Sequence, residues 1–445
     1  MTQEEALERL EYGDIEDLRG MHDALAEVRT GDIVQLLGRV PPRRRALLFR
    51  LLPKEEAVAV FETLDAGFAA GLLSGLRDER VAQLVEDLDP DDRVGLLDEL
   101  PANVAKNLLS GLSPRERQLT NTLLGYPAGS IGRKMSPEYL AVRVTMTIEQ
   151  VLARVREVGE HVETIYFLPV IDDHRVVVGA LELKDLLLAS PSTPLADVMH
   201  EPIMIHVTDD EEEAARTVVE ADLIATAVVD SENRLVGLLT FDDASEILAD
   251  AEAEDAARTG GSEPLRRPYL SAPLWAVVRS RVVWLFVLVG ASSLTVAVQD
   301  AFAPTLEQTL ALALFIPMLI GAGGNIGSQA ATTITRALAL TEVRPRDIML
   351  VAFREMRVGF LLGATLGGLG FIPAALLAGP QIALILLLTV TAVGTLAATV
   401  GGCIPLGARA VGVDPAIVSA PFISTFVDAS GLVIYFLIAQ AILGL

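Results

Sequence analysis

Five apolar segments, at about 282–303, 308–338, 357–378, 382–406 and 415–442, occupy the final part of this 445-residue chain. Each is long enough to cross ~30 Å of hydrocarbon as a helix. They predict a five-helix transmembrane domain over 276–445. Loop charge then orients it. The loops at 298–308 and 377–381 and the C-terminus hold no Lys or Arg, whereas the 336–357 loop holds five Arg. Arg279 and Arg281 precede the first span, and Arg409 follows the fourth. Positive charge marks the cytoplasmic side, so the N-terminus is expected inside and the C-terminus outside.

The fifth segment contains an anomaly, Asp428, about fourteen residues or ~21 Å of helix from the cytoplasmic loop. A carboxylate in lipid costs at least ~2–3 kcal/mol. It could pair with an arginine or sit at the surface, but 410–445 holds no basic residue. A water-filled cation path remains the best reading. Pro421, Ser424, Thr425 and Ser430 lie nearby. A proline inside a span would free the carbonyl of Ile417, and carbonyls, hydroxyls and one carboxylate are hard oxygen ligands. These suit Mg²⁺, Ca²⁺ or Mn²⁺ rather than zinc or copper. The second span adds "FIPMLIGAGGNIGSQAATTITRALAL", 315–340. Its Pro317, Gly321, Gly323, Gly324 and Gly327 are expected to weaken the helix and admit a neighbour closely. Asn325, Ser328, Gln329 and Thr332 put polar groups mid-span, and a polar pore lining is expected there.

The rest of the chain is soluble in character. The net charge is −24, and residues 1–270 hold 27 basic against 52 acidic residues, so the excess is entirely N-terminal. Such a surface repels nucleic acid and attracts cations. The lone Cys403 excludes an intrachain disulfide and a cysteine zinc site. The acidic, polar start "MTQEEALERLEYGD" is read as neither a signal nor a transit peptide.

Two repeats organise this region. Val40, Leu52, Leu64, Leu76, Leu88, Leu100, Leu112 and Leu124 recur every twelve residues, with Pro41, Pro53, Pro90, Pro101 and Pro114 just after the break. Each unit reads as a two-turn helix that must stack on others, which predicts a superhelical N domain over 1–130. Further on, "LPVIDDHRVVVGALELKDLL" (168–187) matches "TAVVDSENRLVGLLTFDDAS" (226–245). Each copy predicts strand, turn, strand and helix start, with Asp185 and Asp243 as N-caps. Helical stretches at 147–159 and 209–223 precede the copies, and Met135 and Met199 open the two halves. The pattern resembles a tandem α/β CBS pair, over 131–250, a regulatory module that binds nucleotides or ions and packs as dimers. An acidic connecting helix follows over 251–275. Gly260 and Gly261 end it, and Pro264 and Pro268 keep the next piece extended.

This order of elements resembles the MgtE-type magnesium channels over essentially the whole chain. "IPMLIGAGGNIGSQAATTITRALA" and "GVDPAIVSAPFISTFVDASGLVIY" are the most specific stretches. The resemblance implies a homodimer in a bacterial-type inner membrane, with Asp428 as the pore ion site and Asn325, Gln329, Ala420, Pro421, Ser424 and Thr425 lining it. It implies closure by Mg²⁺ at cytosolic acids, here Asp91, Asp210, Glu212, Asp222, Asp243, Glu246, Glu254, Asp255 and Asp414. As in some CBS pairs, it implies a nucleotide such as ATP at Tyr166, Lys184 and Asp185. Three positions depart from the family pattern. Ala420 replaces an asparagine, which leaves selectivity open among Mg²⁺, Ca²⁺, Mn²⁺ and Co²⁺. Gly95 replaces an acid, and Ala227 replaces a proline. The rival readings are an ion-coupled secondary transporter and a membrane-anchored CBS sensor. No nucleophile–base pair and no phosphate loop are present, so no enzyme is expected.

Overall fold

The computed structural model describes residues 3–12, 21, 24–25, 28–64, 66–73, 78–265, 269–270, 272–415 and 420–445. Leu76, Pro268, Ile417 and the side chain of Ala420 lie outside the described residues. Two units divide the chain: 1–251 with 265–272, and 252–264 with 273–445.

In the first unit the twelve-residue period becomes short helices: α1 (Gln3–Tyr12), α2 (Thr30–Arg39), α3 (Pro42–Leu51), α4 (Lys54–Glu62), α5 (Ala66–Leu73), α6 (Asp78–Asp87), α7 (Pro90–Glu99), α8 (Ala102–Gly111) and α9 (Pro114–Leu124). The repeating residue terminates several of these helices. Val40, Leu52, Leu100 and Leu112 are C-caps in extended conformation. Proline then occupies the cap or first turn of the next helix, where its missing N–H costs nothing. Alternate helices touch, α2 with α4, α4 with α6, α5 with α7 and α7 with α9. That alternation is a superhelix, with Leu48, Phe49, Leu52, Val60 and Leu72 in one continuous core.

Arg93 on α7 is the largest fully buried side chain among the described residues. Its guanidinium donates to the carbonyls of Val85 (2.8 Å), Glu86 (3.1 Å) and Leu88 (2.5 Å), to Glu116 Oε2 (2.9 Å) and to Thr120 Oγ1 (3.0 Å). It thus ties the C-terminus of α6 and the first half of α9 to α7.

The second repeat folds as two three-stranded sheets. The first orders β1 (Val142–Arg143), β2 (Phe167–Ile171) and β3 (Val177–Glu182), and the second orders β4 (Met204–His206), β5 (Ala225–Val229) and β6 (Leu235–Thr240). In each, the first pair is parallel and the second antiparallel, with a register shift at Val170/Ile171 and at Val228/Val229. Helices α10 (Ile148–Val158), α11 (Leu183–Leu188) and α12 (Glu211–Glu220) flank them. The two halves exchange their opening methionines. A Cβ on Gly179 would meet Met199 Sδ at 2.6 Å, and one on Gly237 would meet Met135 Sδ at 2.6 Å. Only glycine leaves room for the other half's methionine.

The two aspartates at the helix starts sit one turn deeper than expected. Glu182 caps α11, and Asp185 at N3 accepts from the Glu182 N–H at 3.1 Å. Asp243 likewise faces Thr240, whose hydroxyl donates to Asp243 Oδ2 at 2.6 Å. Asp185 is the reciprocal half of a capping box, whereas Asp243 meets the Thr240 side chain, its own N–H donating to Thr240 Oγ1 at 3.4 Å. The next helix, α13 (Phe241–Thr259), is a single 19-residue element. The acidic connecting helix is therefore the continuation of the second CBS helix. Gly261, at φ +68°, ends it as expected of a residue with no Cβ penalty.

The second unit holds α14 (Leu274–Ala301), α15 (Ala303–Gln308), α16 (Ile316–Ala339), α17 (Ile348–Ala378), α18 (Pro380–Ala410) and α19 (Ala420–Leu443). Five of these are long and apolar enough to cross a membrane. The third starts nine residues before the expected 357, because the helix continues through Arg354, Glu355 and Arg357 to the cap at Asp347. The first starts at Leu274 for the same reason. Hydropathy marks only the apolar part of a longer helix. The second begins as a 3₁₀ stretch, Leu310–Phe315, and turns α-helical before Pro317, which falls in its first turn and does not interrupt it.

Helices α17 and α18 meet backbone to backbone. A Cβ at Gly359 would collide with the Gly394 carbonyl, one at Gly363 would lie 2.6 Å from the Val390 carbonyl, and one at Gly367 3.0 Å from that of Leu387. Helix α18 is the most enclosed of the five spans and α14 the least.

Candidate cation sites

Within the second unit, α16 and α19 enclose a cleft of about 390 Å³ lined by Ile320, Gly321, Gly324, Asn325, Ser328, Pro421, Ser424 and Asp428. It is open on one side. The glycines do two different jobs. Gly323, Gly324 and Gly327 let α16 reach Val427, Ser424 and Ile423, whereas a Cβ on Gly321 would meet nothing within 4 Å. Gly321 therefore widens the cleft and packs nothing. Asn325 is exposed and lines the cleft. Gln329 is exposed but is not part of that lining, because one helical turn carries it past the cleft edge.

Asp428 Oδ1 is enclosed and has no hydrogen-bond partner among the described residues. It lies 3.5 Å from where a Cβ on Gly324 would sit, so this glycine keeps the carboxylate clear. Ser424 and Thr425 both donate to the Pro421 carbonyl, at 3.0 and 2.9 Å. Their protons are thereby fixed, and the Ser424 oxygen faces the cleft as an acceptor. Thr425 does not line it. Asp428 lies eight residues, ~12 Å, beyond Ala420, where the described part of α19 begins. Pro421 accordingly lies in the first described turn of α19.

The first unit gathers acids where α7 meets the CBS pair. One oxygen each from Glu62, Asp89 and Asp92 lies within 4.8 Å of the others. Asp91 Oδ1 is enclosed and without a partner among the described residues. Burial, then the Glu62 and Glu246 charges, push the Asp92 carboxyl up to about 8. Burial and Asp89 raise Glu62 to about 7, and Glu163, chiefly by burial, also reaches about 7. Asp91, Asp243 and Glu246 are raised too, by burial first and then, for Asp91, by Asp243. Three carboxylate oxygens within 4.8 Å fit a hydrated Mg²⁺, whose direct oxygen shell is only about 4 Å across. Asp91, Asp243 and Glu246 were legible in the sequence. Glu62 and Glu163 were not, because superhelical stacking and a loop bring them in. The "DPDD" run at 89–92 was a usable signal, since a helix N-terminus favours clustered acids.

The other acids stand apart from this cluster. Asp210 caps α12, accepting from Glu212 and Glu213 N–H at 3.0 and 3.2 Å, and Glu212 pairs with Arg216 at 2.7 Å. Asp222 holds a left-handed turn position, φ +52°. In the second unit Arg258 binds Glu254 and, at 2.7 Å, Asp414. Asp414 lies in the loop after α18. Asp255 sits beside Glu254 in α13.

At the CBS pair, Leu183 N–H donates to the Tyr166 carbonyl at 3.0 Å, which brings Tyr166, Lys184 and Asp185 together. Lys184 is held by Glu182 and Asp185 by His200, both at 3.0 Å. Tyr166 is exposed.

Three family models match: a divalent cation transporter model (MgtE) over 316–438, the MgtE intracellular N domain over 28–129, and CBS domains over 128–192 and 195–250. The magnesium transporter MgtE of Thermus thermophilus is 35% identical over 96% of both chains. The chain belongs to the MgtE family. The Bacillus subtilis magnesium transporter MgtE is 30% identical over 99% of this chain and 98% of its own. A crystal structure of the cytosolic domain of the Mg²⁺ channel MgtE in complex with ATP matches 56% of this chain and 99% of that one, at 32% identity and a TM-score of 0.51. In this MgtE-family chain the open cleft falls inside the transporter match, and the α7 acid cluster combines residues of the N-domain and CBS matches.

Proposed function

We propose that this chain forms a homodimeric Mg²⁺ channel of a bacterial-type plasma membrane, N-terminus inside, and that cytosolic Mg²⁺ closes it. The enclosed, unpartnered Asp428 oxygen in an open, polar-lined cleft carries this reading. A second copy across a two-fold axis would complete the passage and bring a second Asp428. Two such carboxylates match the charge of one hydrated divalent ion. Mg²⁺ gives up water reluctantly, so hydroxyl and amide groups such as Ser424 and Asn325 bind its water shell. The naming of curated relatives as magnesium transporters supports the ion.

Closure follows from the acid cluster. With no cation, Glu62, Asp89, Asp91, Asp92, Glu163, Asp243 and Glu246 repel one another and favour an N domain parted from the CBS pair. A bound Mg²⁺ favours the docked form, and the equilibrium shifts by its differential affinity. Asp210, Glu212, Asp222, Glu254, Asp255 and Asp414 would add cation-attracting charge. ATP at Tyr166, Lys184 and Asp185 is a further regulatory ligand, supported by the ATP-bound relative. Ala420 favours a broader divalent range as the alternative. Flux of Mg²⁺, Ca²⁺, Mn²⁺ and Co²⁺ into liposomes, for the wild type and Ala420→Asn, tests selectivity. Discrete single-channel currents are expected, and their absence with proton- or sodium-coupled uptake would establish a secondary transporter instead.

Protons should substitute for the metal. The docked-state values of Asp92 and Glu62, about 8 and about 7, exceed the ordinary carboxylate range. The docked form therefore binds more protons, and its stability rises as pH falls from about 8 towards 4. In EDTA, protease protection of the cytosolic region is expected to be greater at pH 5.5 than at pH 8.5, and Mg²⁺ should erase the difference. Protection that falls on acidification would refute the cluster's role.

A further inference from the structure

The C-terminal end of α13 belongs to the second unit and is held to the rest of that unit by contacts made without a metal. Arg258, in its last turn, spans Glu254 and Asp414. Just beyond, a Cβ on Gly261 would sit 3.3 Å from Pro421 Cγ, so the chain runs against the residue that borders the cleft. Glu263 N–H then donates to the Ser280 carbonyl at 2.8 Å, and Trp284 Nε1 donates to Glu263 Oε1 at 2.9 Å. Arg258 pairs with an acid on each side of this junction, Glu254 on its own helix and Asp414 in the loop before α19. It is only partly exposed, which reduces solvent screening of the pair. A cation in the last turn of a helix is also favoured by the helix dipole.

We infer that Arg258 is a tethered cation that latches the end of α13 to the loop before α19, so that this junction holds without a divalent ion. The inference rests on the gating reading above and refines it. Glu254 and Asp414 serve the arginine, and Mg²⁺ dependence resides mainly in the α7 acid cluster. Arg258 is here a positioning residue, distant in role from the ion path itself.

The test uses the full chain in liposomes. Arg258→Gln should raise Mg²⁺ flux at low cytosolic Mg²⁺ about three- to fivefold, the range expected for losing a partly exposed paired charge. Asp414→Asn should act in the same direction. The double variant should exceed neither single variant, because both remove one contact. Exchanging the charges, Arg258→Glu with Asp414→Arg, should return flux towards the wild type. Independently of flux, proteinase K in EDTA should cut the 259–264 segment faster in Arg258→Gln. The latch is overturned if Arg258→Gln matches the wild type in both readouts, or if the two single variants act in opposite directions, as they would were Asp414 a metal ligand hindered by the arginine. A wild type that Mg²⁺ fails to close, yet whose 259–264 segment Arg258→Gln exposes, would refute the gating reading and leave the latch standing.

Discussion

Asp428→Asn is expected to reduce divalent flux at least thirtyfold while leaving the protein folded. Two unit charges 4 Å apart attract by about 4 kcal/mol at an effective dielectric of 20, and by more for a divalent ion. Losing about 2 kcal/mol of this costs about thirtyfold in occupancy. The neutral amide is nearly isosteric, so any loss is electrostatic. An enclosed carboxylate with no partner also burdens the folded state. The thermal midpoint should therefore stay level or rise in the variant. Indicator-loaded liposomes measure the flux, and a thermal melt in detergent measures the fold. Flux within twofold of the wild type would remove Asp428 from the ion path. Reduced flux with a collapsed melt would mean only that the substitution unfolds the membrane unit, in which case Asp428→Glu, which keeps the charge, decides.

Arg93→Met should be the most damaging substitution in the first unit, at about 3–5 kcal/mol. The cause is the set of groups it strands. The carbonyls of Val85, Glu86 and Leu88 lose their donor, and Glu116 is left charged beside an apolar side chain. Because α7 also presents Asp91 and Asp92, the Mg²⁺ protection proposed for the first unit should weaken in parallel. Hydrogen exchange of the α6–α9 amides, with and without Mg²⁺, measures both effects. Amides that exchange as slowly as in the wild type would show that methionine repacks the site without loss.

Patterns local in sequence were readable. The repeating leucine, followed in most of the twelve-residue units by a proline, dictates a helix stop and the next start, so the superhelix followed. The five spans were visible because lipid demands a run of apolar residues, although the charged ends of the first and third were not, since a helix ends at its cap and not where hydropathy falls. Asp428 stood out because nothing basic lies near it. What remained hidden depends on distant segments meeting. Glu62 joins Asp89 and Asp92 only through stacking of the superhelix. Arg258 finds Asp414 across 156 positions. Gln329 and Thr425 looked equivalent to Asn325 and Ser424, but one turn along α16 takes Gln329 past the cleft and rotation about α19 turns Thr425 away from it. The Gly359, Gly363 and Gly367 spacing was present in the sequence and was legible in principle as a close-packing stripe.

That spacing has a mechanical consequence. Two helices touching along their peptide groups have no side-chain cushion over which to slide, and a shift of one tooth would drive carbonyl into carbonyl. The third and fourth spans therefore travel as a single stiff strut. The second span is seated on the fourth in the same way, since a Cβ on Gly401 would collide with the Gly327 carbonyl, so widening of the proposed ion route would fall mainly to the fifth span, and a clamp placed on that span alone should suffice to freeze conduction.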